Sequence, residues 1–133
     1  MNRFKKTVSI TNTICSFFLF SLIFFSCGKS LPSLDGVDLK SWNEDKNGCS
    51  GKRLSMEESI VAQREKLLAL GELQIVELLG KPDVNELSKR NQKFYYYYLQ
   101  SAKECGNGDS TLTPKRLAIR FNAMGLAKEV QVE

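Results

Sequence analysis

The sequence predicts an α+β domain in which two helices precede three strands. A capping box at residues 55–58, followed by apolar residues at helical spacing, indicates the helical part. The aromatic run at 93–99 and the alternation of apolar and other residues at 115–122 indicate strands, because aromatic and β-branched side chains favour extended backbone.

The first helix is predicted to begin at Ser55. Its hydroxyl can accept a hydrogen bond from the amide three residues on, while Glu58 reaches back to the Ser55 amide. Gly71 is placed to end this helix in a left-handed cap. The apolar residues at helical spacing between these ends are Met56, Ile60, Val61, Leu67 and Leu68.

The second helix is predicted over residues 72–79, with an apolar face formed by Ile75, Val76 and Leu79. Gly80 can supply a positive φ, and Pro82 cannot continue the hydrogen-bond ladder, so the helix should end between them. A polar link is expected between this helix and the first strand.

The first predicted strand, at 93–99, has aromatic side chains on both of its faces. If the helices cover one face of the sheet, alternation leaves one of two side-chain sets on the other face, and the sequence leaves both open. The two sets are Phe94, Tyr96 and Tyr98, or Tyr95, Tyr97 and Leu99.

The other two strands follow a long loop at 100–114. Residues 115–122 place one apolar set inward and leave Ala118 and Arg120 outward. A turn at 122–125 then leads into the last strand. The inward residues are Leu117, Ile119 and Phe121, and the apolar residues of the last strand are Leu126, Val130 and Val132.

The N-terminal residues 1–26 have the parts of a bacterial lipoprotein signal. Basic residues precede an apolar stretch at 14–25, which is shorter than the roughly 20 residues that span a membrane. Residues 22–27 resemble a lipobox, which implies that Cys27 becomes the first mature residue and carries diacylglyceryl and N-acyl lipid. An uncleaved anchor and an ordinary cleaved signal remain alternatives.

Gly28, at the second mature position, resembles lipoproteins that are sent on to the outer membrane. The predicted location is therefore the outer membrane, by a lipid anchor, on a face that the sequence leaves open. Acyl chains on one cysteine hold a domain beside the bilayer without embedding it.

The composition of the mature chain limits the choice of partner. The chain has 133 residues and a formal net charge of +4, and removal of the three basic residues of the leader lowers that charge to +1. A nucleic-acid partner is therefore not expected. The predicted organisation is a lipidated tether and irregular lead-in at 27–54, then one small domain at 55–133.

Two cysteines remain for a disulfide, because Cys15 leaves with the leader and Cys27 takes lipid. Cys49 and Cys105 in an exported chain indicate one bridge, worth about 4 kcal/mol on the chain-entropy argument. A metal pair and a redox couple are the alternatives. No metal site is expected, because the chain has no histidine.

The lead-in is polar and lacks a sustained period, with Trp42 as its exception. Asp45, Asn47 and Gly48 faintly resemble a calcium loop, but the acidic positions that should follow are missing. A turn that ends at the bridged Cys49 is favoured.

An enzyme is not expected from this set of side chains. The absence of histidine excludes Ser-His and Cys-His mechanisms. A carboxylate pair drawn from Glu57, Glu58, Asp83 and Glu86 is conceivable, yet these acids occupy a helix start and a turn, where acids have ordinary capping roles.

Residues 75–82, the Tyr-rich strand and the hairpin at 119–125 resemble the BamE (SmpA/OmlA) family of small outer-membrane lipoproteins. The domain of that family is similar to the modules of β-lactamase inhibitory protein. The resemblance covers about residues 55–133. It implies two helices packed on one face of a three-stranded antiparallel sheet, and a non-catalytic binding or scaffolding role, as in the assembly of β-barrels into the outer membrane.

The candidate partner-binding residues are Trp42 and the four consecutive tyrosines Tyr95, Tyr96, Tyr97 and Tyr98, since tyrosine and tryptophan are enriched at interfaces. The lead-in with Trp42 folded over the aromatic face is an open alternative. Other functions left open are an inhibitor or ligand-binding module that presents its sheet face to an envelope enzyme, and a structural spacer.

Overall fold

The computed structural model describes residues 30–88, 92–106 and 113–133, and residues Leu31–Glu133 form one compact unit. The predicted leader and the lipid-attachment residue Cys27 lie outside the described residues. Within the described part, no helix has the length and apolar character needed to cross a membrane.

The described residues form four short α-helices and four strands. The helices are α1 Leu39–Glu44, α2 Lys52–Ser55, α3 Glu57–Ala62 and α4 Glu72–Leu79. The strands are β1 Val84–Ser88, β2 Gln92–Tyr98, β3 Arg116–Phe121 and β4 Ala127–Val132. Short 3-10 helices lie at Lys46–Gly48, Arg64–Leu67 and Lys103–Cys105.

The α+β class and the antiparallel sheet are confirmed, but the sheet has four strands in the order β1-β2-β3-β4 rather than three. The additional strand is β1, in the segment expected to be a polar link. Its alternation is weak because it lies at the sheet edge, where Asn85, Glu86 and Leu87 are all exposed. It is held by antiparallel pairing along β2, a contact that local sequence does not reveal.

The long helix predicted from Ser55 is broken in the structure. Ser55 ends α2, and its hydroxyl donates to the Lys52 carbonyl at 2.6 Å instead of capping a new helix. The last helical turn, the 3-10 helix that ends at Leu67, is followed by the extended residue Leu68 and by Ala69 with φ 60°. The Ala69 amide donates to the Ala127 carbonyl of β4 at 2.8 Å. The predicted left-handed cap at Gly71 is therefore wrong: its φ is −73°, and it precedes α4.

Helix α4 has the predicted bounds, and Ile75 and Leu79 of its apolar face are fully buried. Gly80 ends it with φ 79°, as expected. A Cβ at this position would lie 1.7 Å from Oδ1 of Asn43, so a larger residue would have to displace the Asn43 side chain as well as adopt the positive φ.

The lead-in expected to be irregular contains α1 and α2. Asp38 caps α1 by accepting from the Lys40 amide at 3.1 Å and from the Ser41 hydroxyl at 2.6 Å. Trp42 is completely buried, with its ring centroid 6.2 Å from that of Tyr97. The lead-in therefore contributes to the main core on the helical side of the sheet.

Cys49 and Cys105 form a disulfide, as predicted, across a sequence separation of 56. Next to it, the Ala102 amide donates to the Asn47 carbonyl at 2.9 Å. A Cβ on Gly48 would lie 2.6 Å from the Gln100 carbonyl oxygen, so the two backbones approach closely. The bridge fixes the lead-in to the chain that follows β2.

A buried ion pair between Arg53 and Asp83 joins the lead-in to the sheet. Their side chains are 1% and 3% exposed. Arg53 Nη1 donates to Asp83 Oδ2, and Nε donates to the Trp42 carbonyl at 2.9 Å. The guanidinium lies 5.3 Å from the ring centroid of Trp42 and 5.6 Å from that of Tyr97. Arg53 is therefore held by an ion pair, by hydrogen bonds and by contact with two aromatic rings.

The carboxylates beside this arginine are also satisfied by backbone amides. Asp83 accepts from the amides of Asn47 at 3.0 Å and Tyr98 at 2.8 Å. Asp45 accepts from the amides of Ser50 at 2.6 Å and Arg53 at 2.9 Å. Buried charges are tolerated when their hydrogen-bonding groups are satisfied in this way.

We expect Asp83→Asn to lower the free energy of unfolding by about 3–5 kcal/mol, because it leaves the Arg53 charge buried without a counter-ion. Denaturant titration followed by circular dichroism measures the loss. Asp35→Asn is the matched control, since Asp35 pairs with Lys66 but its side chain is 87% exposed. Equal, small losses in the two variants would contradict the role given to the buried pair.

Candidate protein-binding surface

The two faces of the sheet differ in what covers them. Tyr95 and Tyr97 of β2 point to the helical side, where both belong to the hydrophobic core. Alternation along the strand directs Phe94, Tyr96 and Tyr98 to the opposite side. The choice that the sequence left open is thus decided by which set packs against the helices.

Three of the five candidate partner-binding residues are core residues. Tyr97 is completely buried, and its hydroxyl donates to the Gly80 carbonyl at 2.9 Å. The Tyr95 hydroxyl donates to Glu72 Oε2 at 3.1 Å, and Trp42 packs on Tyr97. These positions hold the fold together, so the expectation that they contact a partner is corrected.

The remaining two candidates, Tyr96 and Tyr98, lie on the side away from the helices, with Phe94. The rings of Phe94 and Tyr96 stack with centroids 5.9 Å apart and planes 7° apart. The Arg116 guanidinium lies 3.8 Å from the Tyr96 ring centroid. Tyr96 is only 7% exposed, and its neighbours on the same face account for much of that burial. Phe94 and Tyr98 are half-buried.

Ion pairs extend this surface across β3 and β4. Arg120 lies opposite Phe94 in the register and donates from Nε to Glu129 Oε2 at 2.8 Å. Arg116 pairs with Glu133 at 2.6 Å. Partly exposed pairs of this kind add little to stability, so their charges can be exchanged for those of a partner at low cost. We call Phe94, Tyr96, Tyr98, Arg116 and Arg120 the outer face.

The arginines of the outer face were only partly found from sequence. Alternation in β3 predicted Ala118 and Arg120 to point outward, and the structure places Arg120 there. Arg116 obeys the same two-residue period, so the pattern could have identified it. Phe94 was named in one of the alternative faces but was not chosen as a candidate residue.

A polar cluster of Glu72, Lys93 and Tyr95 lies at the end of the sheet near the β3–β4 turn. Lys93 donates to Glu72, and this hydrogen bond raises the pKa of Lys93. Burial raises the pKa of the Tyr95 phenol, and its hydrogen bond to Glu72 adds to the shift. The three groups satisfy one another, which indicates a structural role.

The other acidic candidates are not gathered into one site. Glu57 binds the Lys115 ammonium at 3.0 and 3.1 Å, and Asp83 binds Arg53. Glu86 lies in β1, opposite Phe94. The residues that the structure describes contain no cluster of three or more histidine, cysteine, aspartate or glutamate side chains arranged to hold a metal. The Asp45 carboxylate accepts hydrogen bonds from the Ser50 and Arg53 amides, which follow Cys49 in the chain.

Comparison of the chain with protein-family models, curated proteins and solved structures gave no significant match. The resemblance to the BamE family therefore stays a prediction.

Burial raises the pKa of Tyr97, and the same cause raises the pKa of Tyr95 and Tyr96. A tyrosine in the unfolded chain has a pKa of about 10. Because the folded pKa is higher, the stabilisation is complete below pH ~10 and is lost as the pH rises through the folded value. We expect the free energy of unfolding to fall above pH ~10, with a shallower fall in Tyr97→Phe.

Denaturant titrations at a series of alkaline pH values measure this slope. Leu73→Ala is the control, because Leu73 is 85% exposed on α4 and its side chain does not ionise. Identical slopes in the parent chain and Tyr97→Phe would contradict the assignment to Tyr97.

Proposed function

We propose that this chain is a lipid-anchored envelope protein that binds another protein through its outer face and has no catalytic role of its own. The observation that supports this most is the stacked pair Phe94 and Tyr96 with Arg116 over the Tyr96 ring, on the side of the sheet away from the helices. Aromatic residues and arginine are the types most enriched at the centres of protein interfaces.

The chemistry of the outer face limits the partner. Its centre is aromatic, and its two arginines carry glutamate partners that a carboxylate of another protein can replace. A partner that presents apolar side chains flanked by acidic ones fits this surface. Assembly of outer-membrane proteins is the process that the BamE resemblance suggests.

An inhibitory role is the second candidate, favoured by the same outer face, of which Phe94, Tyr98, Arg116 and Arg120 are partly exposed. A sheet surface that carries aromatic and arginine side chains can cover the active site of an envelope enzyme. The two roles differ in the consequence of binding: a scaffold leaves the activity of its partner intact, whereas an inhibitor abolishes it.

We expect Cys27→Ala to block lipid attachment, so that an unprocessed precursor or a released form replaces the mature anchored protein. Membrane fractionation combined with intact-mass measurement tests this. Cys15→Ala should leave anchoring unchanged, because Cys15 lies in the predicted leader. Unchanged anchoring and mature mass in Cys27→Ala would contradict the lipidation proposal.

We expect Phe94→Ala and Arg120→Ala each to weaken partner binding about tenfold or more, because truncation of central interface residues costs on the order of 1–2 kcal/mol or more. A photo-crosslinking amino acid at position 98, in cells, should give one discrete adduct that both variants diminish. Leu73→Ala is the control, since Leu73 is 85% exposed on α4.

Circular dichroism of each variant separates lost binding from lost folding. A folded outer-face variant that retains the full adduct would overturn the assignment to this face. Loss of activity of the crosslinked partner in a purified complex would favour inhibition over scaffolding.

A further inference from the structure

Strand β4 is the last strand in the sheet order, so one of its sides has no neighbouring strand. Its first residue is nevertheless covered. The Ala127 amide donates to the Leu70 carbonyl and the Ala127 carbonyl accepts from the Ala69 amide, both at 2.8 Å. Beyond this contact, the edge is open in the part of the chain that the structure describes.

The hydrogen-bond pattern shows which backbone groups face outward. Arg116 and Glu133 exchange both amide-to-carbonyl bonds, at 2.9 and 3.0 Å, so Glu133 directs its groups toward β3. Alternation then turns the amides and carbonyls of Val130 and Val132 away from the sheet. Neither residue has a backbone hydrogen bond on that outer side to any described residue. This two-residue stretch is the free edge.

A groove of about 300 Å³ runs beside the free edge, between β4 and helix α3. Its apolar lining comes from Val61 of α3, Leu117 of β3, and the free-edge residues Val130 and Val132, with Glu57 and Arg64 at its sides. A second groove of about 190 Å³ shares Arg64 and Val130 with it and extends to Lys128. The free edge therefore has an apolar depression beside it with a charged rim.

Some of the charged side chains around the groove form ion pairs and others do not. Glu57 is held by Lys115, and Glu129 by Arg120. Arg64, Lys128 and Glu65 make no ion pair with any described residue, and all three are exposed. The rim thus offers two available positive charges against one available negative charge, a balance that favours acidic groups.

We propose that the free edge of β4 is a strand-addition site for an extended, acidic segment of a protein partner. The segment pairs its backbone with Val130 and Val132, places an apolar side chain in the groove, and directs carboxylates to Arg64 and Lys128. In such recognition the main-chain bonds supply affinity and the alternate side chains supply specificity. The site goes beyond the outer face and is separate from it.

A second copy of this chain is the less suitable occupant. Pairing of β4 with β4 of another molecule would bring a second Arg64 and a second Lys128 together with a second Glu65, so the net positive charge of the rim would be doubled and not neutralised. Like net charges placed together oppose association. An acidic segment has no such penalty and fills the same backbone positions.

The test uses the mature chain in detergent and the synthetic peptide Thr-Glu-Thr-Val-Thr-Glu-Thr, capped at both ends. Its central valine and both glutamates share one face, so either strand direction places them alike. We expect saturable binding by calorimetry and slower amide exchange at Val130 and Val132. The matching peptide with lysine in place of glutamate should bind at least about tenfold more weakly, since like charges meet.

Two further comparisons assign the binding to this edge. A peptide N-methylated at both the central valine and the threonine that follows it should lose affinity, because in either strand direction it lacks an amide that pairs with β4. Arg64→Ala and Lys128→Ala should each weaken binding of the glutamate peptide several-fold, whereas Lys40→Ala, an exposed change on α1, should not. Phe94→Ala should leave peptide binding unchanged, so failure of the outer-face proposal stays distinguishable.

Several results would overturn the proposal. These are absence of binding at millimolar peptide, equal affinity for the lysine peptide, and protection at residues other than those of β4. Protection of Val130 that grows with protein concentration in the absence of peptide would show self-pairing and would equally overturn it.

Discussion

The buried pair of Arg53 and Asp83 is the interaction on which the rest of the fold depends. Arg53 donates to Asp83, 30 positions along the chain, and to the Tyr98 carbonyl, 45 positions along. One side chain therefore connects the lead-in to the residue before β1 and to the last residue of β2. A buried ion pair is a weak source of net stability, but it penalises every arrangement that separates the charges. Because the indole N–H of Trp42 has no hydrogen-bond partner among the described residues, its burial rests on packing against Tyr97 and on the guanidinium.

The position of this pair determines which face of the sheet is left for binding. It holds the lead-in on the same side as α4, so Trp42, Tyr97 and the helix residues share one core. Because side chains alternate along β2, its aromatic residues lie on two different faces of the sheet. Tyr95 and Tyr97 pack in the core and donate hydrogen bonds there, whereas Phe94, Tyr96 and Tyr98 lie on the side away from the helices. Consecutive aromatic residues of one strand therefore have two different physical roles.

Features fixed by local chemistry could be predicted from the sequence. Helix α4 carries its own apolar face and ends at Gly80, and the alternation in β3 identifies its buried side without knowledge of its neighbours. Features fixed by distant contacts could not. Strand β1 is held in place by its pairing with β2, and the segment after the 3-10 helix at Arg64–Leu67 is held by the hydrogen bond from the Ala69 amide to the Ala127 carbonyl of β4. For Trp42 the sequence left partner contact and burial in a folded lead-in open, because the residue that it packs against, Tyr97, lies far along the chain on β2.

The free edge is short, and a short edge limits pairing between copies of the chain. Long flat edges invite pairing between copies, and proteins limit this with short stretches, bulges and charged side chains. Here the segment at Ala69 and Leu70 covers the start of β4, a register shift follows between Arg120 and Phe121, and Lys128 is exposed beside the open stretch. Backbone pairing over two residues is too weak to act alone. Any segment that binds there must gain the rest of its binding free energy from contacts with the groove and with Arg64. The features that prevent non-specific pairing therefore also make recognition depend on side chains.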